Sequence, residues 1–142
     1  MLESGTLFTS QSGVQSAIRS DLVARIEELN QGIFETAVLD FSVQSFSGGE
    51  LVIVGSFDLA YYQDLQIEFS RVGFFSCPTR FSDASFRCLD RSEWSPAILE
   101  SCAHSVNDDD TIFAVELSRF YDVQTYYIVA GAVRYQFAKM HY

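Results

Sequence analysis

Apolar and polar residues alternate along four stretches of this chain, and this period of two constrains the fold more than any other feature. The apolar positions are Leu39, Phe41 and Val43; Leu65, Ile67 and Phe69; Phe113, Val115 and Leu117; and Tyr127, Val129, Val133, Tyr135 and Phe137. Successive side chains of a strand point to opposite faces, so this period predicts strands with one face on a core and the other toward water.

A long amphipathic helix precedes the strands. Its apolar stripe recurs at steps of three or four residues and consists of Val14, Ile18, Leu22, Ile26 and Leu29. Ser10 or Ser12 is a suitable N-cap, and Gly32 is a natural stop after Gln31. The pattern predicts one α+β domain over residues 1–142, with residues 1–11 flexible. In it one long N-terminal helix packs on a mainly antiparallel, five- or six-stranded curved sheet.

Turn residues and changes of parity set the predicted strand limits. The predicted strands span residues 36–46, 51–57, 64–75, 111–120 and 124–138. The apolar parity changes after Ser70, which predicts a bulge or bend at Ser70–Arg71. Residues 79–107 leave alternatives open: a short helix capped by Ser82 or Asp83, or a strand over residues 85–89. Pro96 favours a helical turn.

The charge and the cysteines narrow the function classes. Nineteen acidic and nine basic residues give a net charge of −10, which disfavours nucleic-acid binding and favours a basic protein partner. The sequence contains no apolar run of membrane-spanning length, and its first residues do not resemble an export signal. Cys77, Cys88 and Cys102 lack C-x-x-C spacing, so we predict buried thiols and a cytoplasmic location.

Residues that could support catalysis are sparse. Only two histidines are present, His104 and His141, and Cys102 beside His104 has no evident orienting group. The acidic run at residues 107–110 lacks the alternating ligands of a calcium loop and reads as a polar turn. We therefore expect no catalytic residue, cofactor or metal, and a non-enzymatic function.

One segment runs against the overall charge. Residues 71–91 carry a net charge of +2, whereas residues 1–70 carry −8 and residues 92–142 carry −4. Arginine makes planar contacts to carboxylate and phosphate, so Arg71, Arg80 or Arg87 could fix the anionic group of a small ligand in an aromatic pocket. The alternative is that these arginines pair with the acidic surface of the protein itself.

Adjacent aromatic residues suggest a second kind of contact surface. In an extended segment one member of Tyr61–Tyr62 and one of Tyr126–Tyr127 must leave the core face. With Trp94 they could form an aromatic surface that contacts a partner. The alternative is that the irregular segment 79–107 covers them.

The stretch from Phe34 to Pro78 resembles a recurring arrangement in small acidic bacterial proteins. The strand 37–41, the apolar strand 51–54 and the strand 65–72 form this pattern, and the closing segment 126–133 adds to it. The arrangement is similar to the immunity proteins of bacterial polymorphic-toxin systems and to uncharacterised domains of this size.

This resemblance implies a protein that binds and neutralises a partner protein in stoichiometric amounts, often a basic nuclease. The acids expected to contact that partner are Asp40, Glu68 and Glu116, with Tyr61, Tyr62 and Trp94 as anchors. An antiparallel sheet also has edge strands that can pair with a second copy, so a homo-oligomer is an alternative.

Overall fold

A computed structural model describes residues 20–60, 62–119 and 122–141 of the chain. Helix α1 occupies residues 20–35, so the predicted helix start and the flexible residues 1–11 lie outside the described part. A 3-10 turn (Arg91–Glu93) and helix α2 (Pro96–Ser101) interrupt the strands. The strands are β1 (Asp40–Ser47), β2 (Glu50–Ser56), β3 (Tyr62–Ser70), β4 (Phe74–Phe75), β5 (Arg80–Ser82), β6 (Ala84–Cys88), β7 (Thr111–Arg119), β8 (Asp122–Ala130) and β9 (Ala132–His141).

The strands form two sheets. The first sheet has the order β5-β1-β2-β3-β9, and the second has the order β4-β8-β7-β6. Within each sheet, neighbouring strands pair in antiparallel orientation. The α+β class with antiparallel sheets is therefore confirmed. The prediction of one sheet with five or six strands was wrong, because a period of two identifies strands but not their partners.

Three sharp corners carry the chain from one sheet to the other. At the first, β3 ends before Arg71, whose φ is 52°, and the chain continues as β4; this confirms the predicted bend. At the second, Gly131 alone separates β8 from β9, so the predicted strand 124–138 is in fact two strands. A Cβ on Gly131 would lie 2.3 Å from Nε of Arg71, so a larger residue here would displace the arginine side chain. Asp83, with φ 55°, forms the third corner between β5 and β6.

The main core lies between the inward faces of the two sheets. Phe69 of the first sheet meets Phe113 of the second edge to face, with ring centroids 5.2 Å apart. Phe41 contacts Phe86 in a similar way at 6.0 Å. These rings are almost wholly buried, and buried aromatic side chains contribute large apolar areas. Most of the alternating apolar positions of the sequence therefore point into this core, whereas Tyr127 and Val129 belong to a second core and Leu39 is exposed.

A second, smaller core covers the opposite face of the second sheet. Residues 89–106 pack there, and its buried members are Leu89, Cys102, Ile112, Ala114 and Val129. Helix α2 begins after Ser95, whose hydroxyl accepts a hydrogen bond from the backbone N–H of Ile98 (3.2 Å). The predicted helical turn at Pro96 is thus confirmed. Strand β6 shows that the strand alternative was correct and that the helix capped by Ser82 or Asp83 was wrong.

Helix α1 bridges the exposed edges of the two sheets. The side-chain amide of Asn30 donates to the carbonyl of Phe86 (2.7 Å) and accepts from its backbone N–H (2.9 Å). Because both groups point away from β7, Asn30 occupies the place of a neighbouring strand on β6. Arg25 donates to the carbonyl of Val133 in β9 (3.2 Å).

The predicted stop at Gly32 was wrong, because α1 continues to residue 35. Gly32 serves packing instead: a Cβ there would lie 2.5 Å from the ring of Phe137. The longer helix also delays the first strand, which was predicted from Thr36 and begins only at Asp40. A turn with Ala37 at φ 55° occupies the interval.

Candidate functional site

An open cleft of about 700 Å³ lies where β5, the start of β1 and the loop after β2 come together. Its polar lining residues are Asp40, Ser42, Gln44, Asp58, Gln63, Arg80 and Ser82. Val54, Leu59 and Ala60 add a small apolar wall. Phe41 and Phe81 also belong to the lining, and their rings stack at 5.2 Å, but both are almost fully buried. The cleft therefore presents polar and apolar surface in similar amounts.

Two opposite charges share the cleft without forming a pair. Asp40 lies opposite Ser82 in the β1–β5 register, and Ser42 lies opposite Arg80. The Ser82 hydroxyl donates to Oδ1 of Asp40 at 2.9 Å, which directs the carboxylate toward Ser82. Arg80 is exposed and forms no salt bridge with a carboxylate of the described residues. The cleft therefore offers both charges to a bound group.

The loop after β2 forms a hydrogen-bonded wall of the cleft. The buried hydroxyl of Ser56 accepts from the backbone N–H of Asp58 (3.0 Å) and donates to Oδ2 of Asp64 (3.3 Å). Oδ1 of Asp58 in turn accepts from the N–H of Ala60 (3.0 Å). Such side-chain turns replace backbone hydrogen bonds and fix the loop conformation. The wall is thus held by local contacts before any ligand binds.

The other two acids expected to contact a partner already have basic neighbours. Glu68 of β3 accepts a hydrogen bond from Arg134, which lies directly across from it on β9. Oε1 of Glu116 lies 3.8 Å from Nε of Arg87. The structure places Asp40 and Glu68 on the first sheet and Glu116 on the second, so it does not bring the three acids to one site.

The three arginines of the basic segment also lie apart. Arg87 forms a salt bridge with Glu93 (2.6 Å), which matches the alternative that such residues pair with the protein's own acids. The pKa of Glu93 is lowered by the hydrogen bond from the N–H of Asp90 and then by Arg87, and Glu93 in turn raises the pKa of Arg87. Arg71 lies over Gly131 at a corner. Of the three, Arg80 alone lines the cleft.

The aromatic residues do not form one exposed surface. Trp94 packs in the second core, with the guanidinium of Arg91 4.5 Å from its ring centroid. Tyr126 packs against the main core and Tyr127 against the second. The two adjacent tyrosines therefore lie on opposite faces of the second sheet, and each packs against a different core. Tyr62 is half-buried in β3, and Tyr61 lies outside the described residues.

One surface, which we call the acidic end, is not predicted by the sequence pattern. It consists of exposed Phe34, Leu39 and Phe57, flanked by Glu35, Asp58 and Asp83. The exposed fraction of Phe34 is 82%, that of Phe57 is 55% and that of Leu39 is 42%. Phe34 is out of phase with the apolar stripe of α1, a signal that becomes visible only when the helix is extended beyond Gly32.

Backbone hydrogen bonds bring the segments of the acidic end together. The N–H of Leu39 donates to the carbonyl of Ser56 (3.1 Å), next to Phe57. The N–H of Asp83 donates to the carbonyl of Leu39 (2.9 Å). Exposed apolar residues with charged neighbours are typical of protein-interaction surfaces.

The cysteines are free thiols, with Cys77 and Cys102 buried and Cys88 half-buried. Burial raises the pKa of Cys77 to about 11, and burial also raises the pKa of Cys102. Both therefore remain protonated at neutral pH, unlike an activated nucleophile. In the part of the chain that the structure describes, no three His, Cys, Asp or Glu residues could hold a metal ion together. None of its helices has the length and apolar character needed to cross a membrane.

Comparison with known proteins gives no match to a family model, a curated protein or a solved structure. The resemblance to immunity proteins therefore stays a prediction.

Proposed function

We propose that this chain is a non-enzymatic protein-binding domain that takes a basic partner protein at the acidic end. The observation that carries the proposal is the exposure of Phe34, Leu39 and Phe57. Glu35 follows Phe34 and Asp58 follows Phe57 in the chain, and Asp83 is bonded to the backbone of Leu39. An apolar anchor supplies affinity when a partner buries it, and surrounding charge selects the partner and speeds its approach.

The charge of the described helix supports a basic partner. Residues 20–35 carry four acidic side chains and one basic side chain. The single base, Arg25, is already bonded to Asp21 at 3.0 Å. Glu27, Glu28 and Glu35 are exposed on this helix. A basic surface would therefore find unneutralised acids along α1 as well as around Phe34.

A finer proposal is that binding neutralises the partner, as an immunity-type inhibitor would. In that case the partner loses its activity when one equivalent of this protein is added, and the loss does not grow with time as it would with a catalyst. The pairing of Glu68 and Glu116 with arginines moves the proposed contact away from them and toward the acidic end.

Affinity capture from the source organism's lysate tests the proposal, with wild-type and variant proteins as bait at low and high salt. The test variant is Glu35→Lys with Asp83→Asn, since lysine suits a helix C-terminus and asparagine tolerates positive φ. The control, Asp109→Lys with Asp108→Asn, makes the same change of net charge in the exposed turn 107–110.

We expect a basic protein that binds wild type and control stoichiometrically, is released by salt and is lost with the test variant. Phe34→Ala should weaken the purified complex by at least about tenfold without changing the melting temperature, because an anchor residue contributes roughly 2 kcal/mol or more. A partner held equally by the test variant, or the recovery of no partner, would contradict the proposal.

A small-ligand function is the second candidate, and one observation favours it. Arg80 projects from β5 into a cleft of ligand-binding size, whereas Arg71 and Arg87 have their own contacts.

A further inference from the structure

The charges in the cleft are arranged as a separated pair. On an antiparallel pair of strands, diagonal positions on one face lie roughly 7–8 Å apart. Arg80 and Asp40 occupy such diagonal positions, since Arg80 faces Ser42 and Asp40 faces Ser82. A long arginine side chain can span this distance, yet the carboxylate is held by Ser82 and the two do not form a salt bridge. The cleft thus keeps a cation and an anion available at diagonal positions on one face of the sheet.

The size and lining of the cleft limit what could satisfy both charges. About 700 Å³ falls within the range of small-molecule sites, roughly 300–1,000 Å³. A purely apolar ligand would remove water from the charged groups of Arg80 and Asp40 without pairing them, which costs free energy. A simple anion would be attracted by Arg80 and repelled by Asp40 and Asp58. A simple cation would be attracted by Asp40 and Asp58 and repelled by Arg80.

We propose that this cleft binds a small zwitterion of the free α-amino-acid class. The carboxylate of the ligand accepts hydrogen bonds from the Arg80 guanidinium, and its ammonium group donates to Oδ2 of Asp40, since Oδ1 is engaged by Ser82. The ligand side chain faces the wall formed by Val54, Leu59 and Ala60. This inference rests on the small-ligand candidate and does not depend on the acidic end.

Calorimetry with purified full-length protein tests the inference. The probes are the standard free L-amino acids, each beside its N-acetyl derivative, which lacks the ammonium, and its carboxamide, which lacks the carboxylate. Acetate and inorganic phosphate serve as simple anions. We expect at least one amino acid to bind, and both of its derivatives to bind at least about tenfold more weakly, because hydrogen bonds between charged groups contribute that much or more.

Two variants assign the binding to the cleft. Arg80→Ala and Asp40→Asn should each weaken the amino acid by at least about tenfold, and asparagine keeps an oxygen to accept the Ser82 hydrogen bond. Arg134→Ala is the control, since Arg134 is an exposed arginine of the same sheet outside the cleft lining. Melting temperatures show whether each variant remains folded.

The outcomes separate this inference from the small-ligand candidate on which it rests. Equal binding of the parent amino acid and its N-acetyl derivative, with no effect of Asp40→Asn, would show an anion site and overturn the zwitterion. Binding of acetate or phosphate alone would also overturn the zwitterion inference, while it would support the small-ligand function. If no probe binds, the zwitterion inference is overturned and the cleft loses its support as a ligand site.

Discussion

Asn30→Ala should reveal how much free energy the contact between α1 and β6 contributes. The substitution removes both hydrogen bonds to Phe86, at 2.7 and 2.9 Å, and leaves the backbone N–H and C=O of a residue that is 2% exposed without these partners. Each hydrogen bond contributes roughly 0.5–1.5 kcal/mol net, and leaving a buried group unsatisfied costs about 1–3 kcal/mol. Alanine returns roughly 0.5 kcal/mol through better helix propensity. We expect the free energy of unfolding to fall by about 2 kcal/mol.

Urea denaturation measures this loss as a lower midpoint at an unchanged m-value. Gln31→Ala is the matched control, because Gln31 is the next residue on the helix, carries a similar amide and is exposed; its effect should stay within about 0.5 kcal/mol. Hydrogen exchange of the Phe86 amide should accelerate in Asn30→Ala alone. A loss below about 0.5 kcal/mol would refute the argument that the Asn30 amide substitutes for a strand on β6.

Two further predictions concern packing and pH. Gly32→Ala should destabilise the protein by about 1 kcal/mol or more because its Cβ would lie 2.5 Å from the Phe137 ring; in a Phe137→Leu background it should be neutral or stabilising, and an equal loss in both backgrounds would count against the contact. The pKa of Cys77 rises from its ordinary value of 9.0 to about 11 on folding. Between pH 9 and 11 the thiol ionises in the unfolded protein but stays protonated in the folded protein. The contribution of Cys77 to the free energy of unfolding is therefore fully present below pH 9 and is lost as the pH rises toward 11. Unfolding free energies of wild type and Cys77→Ala should therefore converge or cross as pH rises, and parallel pH profiles would contradict this.

The existence of the strands could be predicted from the sequence because local patterning determines it. Leu65, Ile67 and Phe69 alternate in sequence, and all three are buried on one face of β3. The pairing could not be predicted, because it depends on corners at which single residues redirect the chain. Gly131 lies inside what reads as one continuous strand, and it packs against the side chain of Arg71, sixty positions earlier.

The end of α1 shows tertiary packing overriding a local signal. Glycine after an apolar stripe is a good C-terminal signal, but Gly32 is placed under a ring from β9, more than one hundred residues away. That misjudged boundary also hid Phe34, the most exposed of the large apolar residues in the described part. The acidic end was therefore missed through a fold error and not through a lack of chemical signal.

Ion pairs between residues far apart in sequence explain why the acids that are already neutralised could not be identified from the sequence. Glu68 and Arg134 lie 66 residues apart and meet only because β3 pairs with β9. Arg87 is near Glu93 in sequence, yet Glu116 joins it only through the β6–β7 pairing. Net charge could be read from composition, whereas the acids left unneutralised for a partner depend on register.

The contact between Asn30 of α1 and Phe86 of β6 also affects whether this protein can pair with a second copy of itself. An exposed strand edge invites a second copy to add a strand, and proteins protect such edges with short strands or covering elements. Here β5 has three residues and β4 has two, while Asn30 and Arg25 of α1 engage the edges of β6 and β9. A strand added to β6 would first have to displace the Asn30 amide from the N–H and C=O of Phe86 before it could pair with these groups itself. If that variant dimerises in sedimentation experiments while wild type stays monomeric, α1 is the element that keeps this edge closed.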